Sequence, residues 1–419
     1  MMIRKTEQAG TKAAALALAT ALLAATASTD VQAAATMPAL PAGTQLASVE
    51  YPLSCRFPVA GVQTLRFRLT ATAPTVVASG QSFKLSDVSM RVLVPDGLVQ
   101  LIGGVLTTKT LNINVAKLPI IASGAVSATF NGLDSKLQVT GAPVTPGEPT
   151  YVDIPQSGFV TIGPVKTGRR TGTVYVSVGI PTATIYLKGV NGGPTFVPLR
   201  LNCQGVSDTT PLLAVQVATG AAEVADFHSG VRSADLTDEA LDRQYIQSSA
   251  ARSCTFGNLG SRDVTETSTG LSPYAIPQGG SFSISDRRGQ LKIPAATVND
   301  LLAVYPGAVS VDGTITGLDY TAAGAAPDLF DIANLQPVAL APADLQADQD
   351  ASIAYPYDSG LTVGPFSAAG FGRNVALGSG PLTGSLNFRD SNGAAVGAAL
   401  PLSCSAPDPA PVINSLTQY

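Results

Sequence analysis

Gly80–Pro95 reads GQSFKLSDVSMRVLVP, and Gly279–Pro294 reads GGSFSISDRRGQLKIP. Both share the pattern G-x-S-F-x-[LI]-S-D, in which apolar and polar residues alternate as in a β-strand with one buried face. In the first stretch the alternation slips by one position near Asp87, which predicts a β-bulge there. Each stretch ends at a proline that opens an apolar segment, Pro95–Leu106 or Pro294–Val304, so one short helix is expected after each strand.

The two stretches lie inside a longer internal match between the halves of the chain. With residue 54 aligned to residue 253, thirteen of the 46 residues in 54–99 are identical to their partners in 253–298. Towards the end of each half the offset grows by two residues, and the segments ending in Cys203 and Cys404 then align. Cysteines, glycines and prolines keep their register throughout, so the sequence predicts a duplication.

Four cysteines follow the same two-part arrangement: Cys55, Cys203, Cys254 and Cys404. The first two are 148 residues apart and the last two are 150 apart. An even number of cysteines is typical of disulfide-bonded exported proteins. Four cysteines allow three pairings, and the duplication favours Cys55 with Cys203 and Cys254 with Cys404, one bond in each half.

The fold class predicted from these patterns is all-β. Other segments, such as Val174–Val178, alternate in the same way, and glycine or proline clusters separate them. We expect two tandem β-sandwich-like or partly closed barrel domains at 45–217 and 246–419, each with one short helix and one intradomain disulfide. A linker is predicted at 218–245, and its residues 237–241 could start a short helix.

The first 35 residues have the features of a secretory signal peptide. Three basic residues precede the uncharged run Ala13–Ala27, and small residues follow it. The run is shorter than the span of about 20 residues that crosses a membrane, so cleavage after Ala33, Ala34 or Ala35 is expected. An uncleaved membrane anchor is the alternative. The mature chain should have no transmembrane segment and be secreted, either released or held on the cell envelope without covalent attachment.

Composition argues against several classes of function. Only 13% of the 419 residues are charged and the net charge is −4, so no nucleic-acid-binding surface is expected. The single histidine, His228, lies in the predicted linker, which argues against paired-histidine metal sites and a Ser-His-Asp triad. The motifs of serine hydrolases and of phosphate-binding loops are absent. The sequence therefore favours a non-enzyme without catalytic residues, metal or cofactor.

Two repeated acids and one basic turn are the polar residues that invite a functional interpretation. Asp87 and Asp286 end equivalent strands, where each could contact a ligand or ion, or could accept hydrogen bonds from turn amides. Lys166, Arg169 and Arg170 follow a Gly-Pro pair in the first half only. They could form a small anion-binding patch or a solvated basic turn.

The motifs together resemble those of a known domain. The C-x-F-x-x-x-G opening, the G-x-S-F strand, the Gly-Pro pair and the closing L-x-L-x-C are similar to a domain of unknown function. That domain occurs, often in tandem, in secreted proteins of high-GC Gram-positive bacteria, the Actinobacteria. The resemblance covers roughly 45–217 and 246–419. It implies export and a β-rich domain, and it implies no activity and no functional residues.

Four functions from different classes remain open. The first is a non-catalytic binding protein for an unknown envelope or extracellular ligand, with recognition in the poorly aligned segments 100–150 and 299–350. The second is a structural envelope protein that associates with copies of itself, which exposed apolar patches would favour. The third is a carboxylate-based hydrolase. The fourth is a carrier of a small apolar molecule, which a dry internal cavity would favour.

Overall fold

The structure is a computed structural model that describes residues 40–418 with short gaps, at 59, 134–136, 205–209, 222–226, 237–242, 333–335, 369–373 and 409. The predicted signal peptide and the predicted helix start at 237–241 lie outside the described residues. Strands dominate the described chain, so the predicted all-β class is confirmed. Among the described helices, none has the length and hydropathy needed to span a membrane.

The first half contains one short helix, α1 (Asp96–Gln100), which continues as a π-helical turn over Leu101–Val105. Its strands are, in chain order, β1 (Thr44–Phe57), β2 (Gly61–Pro74), β3 (Val76–Ala78), β4 (Ser82–Val94), β5 (Thr110–Lys117), β6 (Pro119–Ser123), β7 (Thr129–Asn131), β8 (Leu137–Pro143), β9 (Thr150–Ile154), β10 (Val160–Lys166), β11 (Gly172–Val178), β12 (Thr182–Lys188), β13 (Leu199–Arg200), β14 (Cys203–Gln204) and β15 (Pro211–Ala218).

The second half contains the longer helix α2 (Ala295–Val304) and a 3₁₀ turn at Gly257–Leu259. Its strands are β16 (Gln244–Phe256), β17 (Ser261–Ser272), β18 (Ala275–Ile276), β19 (Ser281–Ile293), β20 (Ser310–Ala323), β21 (Ala325–Ala326), β22 (Leu329–Asp331), β23 (Val338–Asp344), β24 (Ala351–Tyr355), β25 (Leu361–Ala368), β26 (Asn374–Arg389), β27 (Leu400–Cys404) and β28 (Val412–Gln418).

Both helices begin directly after the proline that the sequence singles out. The carbonyl of Pro95 accepts the backbone N–H of Val99, and that of Pro294 accepts the N–H of Val298, each at 3.0 Å. Each proline has extended backbone angles and caps its helix from one position before the first helical residue. Proline fits there because its fixed φ suits a helix start and its missing N–H would have no helical partner.

One sheet joins the two halves. Its strands lie in the order β9–β4–β2–β1–β16–β17–β19–β24, and β1 pairs antiparallel with β16 through Gln45–Val49 and Gln244–Ser248. We call this row the shared sheet. The predicted domain boundaries stay predictions, but parting the chain at the linker would break the β1–β16 ladder and expose two strand edges.

Each half has one disulfide at the shared sheet. Cys55 of β1 bonds to Cys203 of β14, and Cys254 of β16 bonds to Cys404 of β27. In both cases the two cysteines are direct partners on neighbouring antiparallel strands, and all four side chains are buried. One disulfide lies within each half, as the spacing predicts.

The predicted bulge near Asp87 is present. The pairing of β2 with β4 shifts by one residue between Thr70 and Thr72, opposite Ser86–Ser89. Asp87 has a φ of 51° and Asp286, at the aligned position of β19, has a φ of 48°. Left-handed backbone is unfavourable for most side chains, and aspartate is among the residues that tolerate it. Retention of aspartate at both positions is therefore consistent with a backbone requirement.

The layer that packs against the shared sheet differs between the halves. In the second half β20 and β26 are each one continuous strand, and they pair antiparallel along the whole of β20 with two register shifts, one after Ile315 and one after Leu318. In the first half the corresponding layer is split into two sheets, β13–β12–β5–β8 and β3–β15–β11–β6–β7. Pro119 and Pro181 lie at the breaks, where proline has no N–H to donate, but β26 continues through Pro381, so proline alone does not account for the split.

Candidate functional site

Asp87, a predicted ligand contact, is covered by the predicted linker. Its carboxylate is fully buried, and Oδ1 lies 2.7 Å from Nδ1 of His228. Its Oδ2 accepts hydrogen bonds from Ser229 Oγ at 3.1 Å and from the backbone N–H of Gly230 at 3.0 Å. Residues 227–236, which we call the strap, therefore dock on the bulge of β4.

Further polar contacts hold the strap along β2 and β4. The buried Ser233 donates its N–H to Ser89 Oγ at 2.8 Å and its hydroxyl to Thr70 Oγ1 at 2.9 Å. Arg68 donates to the carbonyl of Leu236 at 2.8 Å. The strap thus covers the polar face of two strands of the shared sheet, and its histidine is anchored to the first half.

Asp286 occupies the aligned position in the second half but has different surroundings. Its side chain is 50% exposed and accepts a hydrogen bond from Arg288 Nε at 3.0 Å. In the alignment of the two halves, Arg288 corresponds to Ser89 of the first half. The two carboxylates therefore share a backbone geometry but not a binding partner, and both are hydrogen-bonded.

Replacing Asp87 by asparagine is expected to lower the free energy of unfolding by about 1–3 kcal/mol, because donors buried under the strap lose their charged acceptor. Asparagine tolerates the left-handed backbone, so the change tests the contact and not the turn. Hydrogen exchange should become faster in the strap, and chemical denaturation should report the loss. Asp286→Asn is the matched control, with an effect below about 0.5 kcal/mol. Unchanged exchange in the strap would contradict this role.

The described residues contain no group of three or more histidine, cysteine, aspartate or glutamate side chains placed to hold a metal ion. Asp87 can orient the imidazole of His228, whose side chain is 63% exposed. A carboxylate that fixes a histidine is half of a general-base arrangement. The hydrogen bonds of Asp87 to His228, Ser229 and Gly230 anchor the strap to β4.

An apolar cavity of about 40 Å³ lies in the core of the first half. It is enclosed by the shared sheet, by α1 with its π-helical turn, and by β5 and β12. Every side chain in its wall is apolar, among them Phe67, Met90, Leu98, Ile102 and Ala183. Apolar cavities of this kind stay free of water because water would lose its hydrogen bonds there.

A smaller apolar cavity of about 20 Å³ lies at the break between the two sheets of the first half. Leu118, Val178 and Gly179 contribute to its wall, and Phe67, Met90 and Pro181 line both cavities. Across the break the N–H of Gly179 donates to the carbonyl of Pro119 at 2.8 Å. The two cavities therefore lie side by side, and the smaller one lies at the break between the two sheets.

Charged and aromatic residues occupy the aligned positions of the second half. An offset of 199 residues, or 201 near the end, pairs Leu53 with Arg252, Phe67 with Glu266, Val88 with Arg287 and Ile154 with Tyr355. All four residues of the second half are buried. The first half thus has apolar side chains at four positions where the second half has a buried polar cluster, which we call the charged core.

Hydrogen bonds connect the charged core. Glu266 accepts from Arg252 Nε at 2.6 Å and from the hydroxyl of Tyr355. Arg287 donates to Tyr320 at 3.0 Å and to the carbonyl of Thr269 at 2.9 Å. A buried carboxylate tolerates desolvation only with such partners.

The ionisation of the charged core follows from these contacts. Burial raises the pKa of Glu266, but the charges of Arg252 and Arg287 and the hydrogen bond from Tyr355 outweigh it and hold the pKa below its usual value. Burial, together with the charge of Glu266, raises the pKa of Tyr355 well above its usual value. The carboxylate is therefore ionised at neutral pH, and the phenol keeps the proton that it donates.

Gly289 makes room for this arrangement. It pairs with Tyr355 across β19 and β24, and a Cβ at Gly289 would lie 2.0 Å from Cζ of that ring. In the first half Met90 pairs with Ile154 at the corresponding place. A glycine opposite a tyrosine and a methionine opposite an isoleucine are two ways to fill the same pair of positions.

Sequence reasoning did not identify the cavities or the charged core. Its alignment contains one signal that could have pointed to them, because Phe67 aligns with Glu266 and Val88 with Arg287. An apolar position that becomes charged in the other half marks a place where the two cores cannot be packed alike. The prolines give no such signal, because Pro181 has a counterpart in Pro381 of the continuous strand β26.

A profile of a family of unknown function, DUF6801, matches residues 52–214. The match covers most of the first half, including most of the residues that line both cavities. A comparison with curated proteins finds no match.

Proposed function

We propose that this chain is an exported, non-catalytic binding protein whose first half holds the end of an alkyl chain in its apolar cavities. The observation that carries the proposal is the apolar space in the core of the first half, whose lining residues Leu53, Phe67 and Ile154 align with Arg252, Glu266 and Tyr355 of the charged core. If the protein needed only two stable domains, larger side chains in that space would raise its free energy of unfolding, because empty volume reduces stability.

Size and chemistry limit the ligand. A water-sized group needs about 10–15 Å³ of cavity volume, so cavities of about 40 and 20 Å³ have room for a few such groups. Among their lining residues only Tyr51 has a polar side-chain atom, and its hydroxyl already donates to the carbonyl of Thr210 at 3.3 Å, so a polar group would be buried at a cost. The end of an unbranched alkyl chain satisfies both limits, and the polar part of such a ligand would stay outside.

The break in the layer of the first half supplies a path to the cavities. Pro119 and Pro181 interrupt two neighbouring strands there, and the smaller cavity lies directly below. Separation at the break would cost few hydrogen bonds, because β5 pairs with β12 on one side of it and β6 pairs with β11 on the other, whereas β20 and β26 pair along most of their length. We therefore propose that the alkyl chain reaches the cavities between Pro119 and Gly179.

The two halves have different tasks in this proposal. The second half, with its hydrogen-bonded charged core, is the scaffold, and the shared sheet keeps the first half attached to it. The two buried disulfides support a location outside the cytoplasm, where such bonds persist. Duplication followed by divergence of the two cores accounts for one binding half and one scaffold half.

Ala183→Leu is expected to abolish binding of hexanol by the full chain, because the larger side chain occupies the cavity. The same change should leave the free energy of unfolding equal or raise it by about 0.5–2 kcal/mol, since filling a cavity stabilises a core. Isothermal titration with hexanol measures the first effect, and chemical denaturation measures the second. If Ala183→Leu loses hexanol binding but not stability, the loss is due to the occupied cavity and not to a damaged fold.

Ala142→Leu is the matched control. Ala142 is buried in the same half but lines neither cavity, so its variant should keep hexanol binding even if overpacking lowers its stability. Hexanediol is the control ligand, because its second hydroxyl would lose its hydrogen bonds in the cavity. Equal binding of hexanol and hexanediol, or equal binding by wild type and Ala183→Leu, would refute the proposed site.

A further inference from the structure

A basic hollow lies in the first half, apart from the cavities and the strap. It has a volume of about 450 Å³ and is formed by the turn at Gly124, the loop from Gly168 to Gly172, and the end of β15. Arg169 and Arg170 both line it, and Thr171 and Thr173 contribute hydroxyl-bearing side chains. None of its lining residues belongs to either apolar cavity.

The loop that carries the two arginines is anchored at both ends. On one side the buried Thr167 donates its hydroxyl to Gln81 O at 2.8 Å, and Gly80 donates its N–H to the carbonyl of Gly168 at 2.8 Å. On the other side Gly172 pairs with Val217 at the start of β11. A loop held in this way presents its side chains without a large ordering cost when a ligand binds.

The charge in the hollow is not balanced locally. Among the described residues, no carboxylate forms an ion pair with Arg169 or Arg170, although the chain as a whole has a net charge of −4. Other arginines of the first half do have such partners, as Arg91 has in Asp153. Two adjacent guanidinium groups without a counter-ion create a positive potential in a concave surface, where it is strongest.

We propose that this hollow binds a phosphate group. Guanidinium groups match the geometry of phosphate oxygens and donate paired hydrogen bonds to them. The hydroxyl of Thr171 can donate as well, whereas that of Thr173 donates to Gln216 Oε1 at 3.0 Å, and the glycines at 124, 168 and 172 leave the wall open to an anion of that size. Free phosphate and a phosphate ester on a larger envelope molecule share this chemistry. The inference does not depend on the alkyl-binding function.

The experiment uses the full chain, wild type and the double variant Arg169→Gln/Arg170→Gln, with inorganic phosphate and glycerol phosphate as separate probes. Isothermal titration at low ionic strength should show saturable binding of at least one probe to the wild type. The double variant should bind it about tenfold more weakly or worse, which corresponds to about 1.4 kcal/mol or more. Tighter binding of inorganic phosphate indicates the free ion, and tighter binding of glycerol phosphate indicates an ester.

Arg56→Gln/Arg200→Gln is the matched control, because it removes the same charge from two exposed arginines of the same half outside the hollow. It should bind phosphate as the wild type does. Raising the salt concentration should weaken binding to the wild type, as expected for a contact made by charges. No binding of either probe to the wild type, or equal losses in the two double variants, would overturn the proposal.

Discussion

Glu266→Gln is expected to lower the free energy of unfolding by about 3–5 kcal/mol, because it leaves two buried arginines without a counter-charge. Glutamine keeps the size of the side chain and can still accept a hydrogen bond from Arg252 or Tyr355. The loss therefore reports the charge and not a cavity. Chemical denaturation of the full chain at neutral pH measures it.

The pH dependence of stability gives a second signature of the same residue. The pKa of Glu266 is lower in the folded chain than its ordinary value of about 4.3, so its ionised form stabilises the fold above that pH. This contribution is lost as the pH falls from the ordinary value through the folded pKa. The difference in stability between wild type and Glu266→Gln should therefore be largest near neutral pH and shrink in acid.

Asp312→Asn is the matched control for this prediction. Asp312 also accepts a hydrogen bond from an arginine, Arg389, but both partners are partly exposed. A partly exposed pair contributes at most about 1 kcal/mol, so the control should lose far less stability. A loss of similar size in both variants, or a difference that does not change with pH, would contradict the assignment of Glu266 as the essential charge of the charged core.

Removing the disulfide of the first half with Cys55→Ser/Cys203→Ser is expected to lower the free energy of unfolding by about 5 kcal/mol. The bond closes a loop with a sequence separation of 148 residues, and the chain-entropy model gives a large value for so long a loop. The β1–β14 pairing beside it is short, so hydrogen bonds replace little of this constraint.

Cys254→Ser/Cys404→Ser serves as the comparison, because its bond closes a loop of nearly equal length, with a separation of 150 residues. A loss of similar size is expected, measured by chemical denaturation after peptide mapping without reduction has verified the remaining bond. A change below about 1 kcal/mol in either variant would mean that native contacts alone hold the strand ends together.

The proposals assign different consequences to the two halves. Variants of the charged core should change stability and leave hexanol and phosphate binding per folded molecule unchanged. Ala183→Leu and Arg169→Gln/Arg170→Gln should each affect one ligand and leave the other unaffected. All of these tests use the full chain, because β1 and β16 pair across the halves and the strap belongs to the first half.

Local sequence information was sufficient for the all-β class, the two helix positions, the bulge at Asp87 and the pairing of the cysteines. Alternation follows from the geometry of a strand, and proline defines a helix start through its own ring. The spacing of Cys55 and Cys203 repeats in Cys254 and Cys404, so the internal match selected one pairing. Each of these features depends on neighbours along the chain or on a repeated pattern.

The sequence pointed to the basic turn at Arg169 and Arg170, whereas tertiary structure alone placed the strap, the apolar cavities and the charged core. His228 and Asp87 are 141 positions apart, and no local pattern shows that the strap returns to β4. The space beneath Pro181 and the contacts of Glu266 depend on which side chains meet between two layers. Packing is a property of the whole set of side chains in a core, whereas strand and helix signals are properties of single segments.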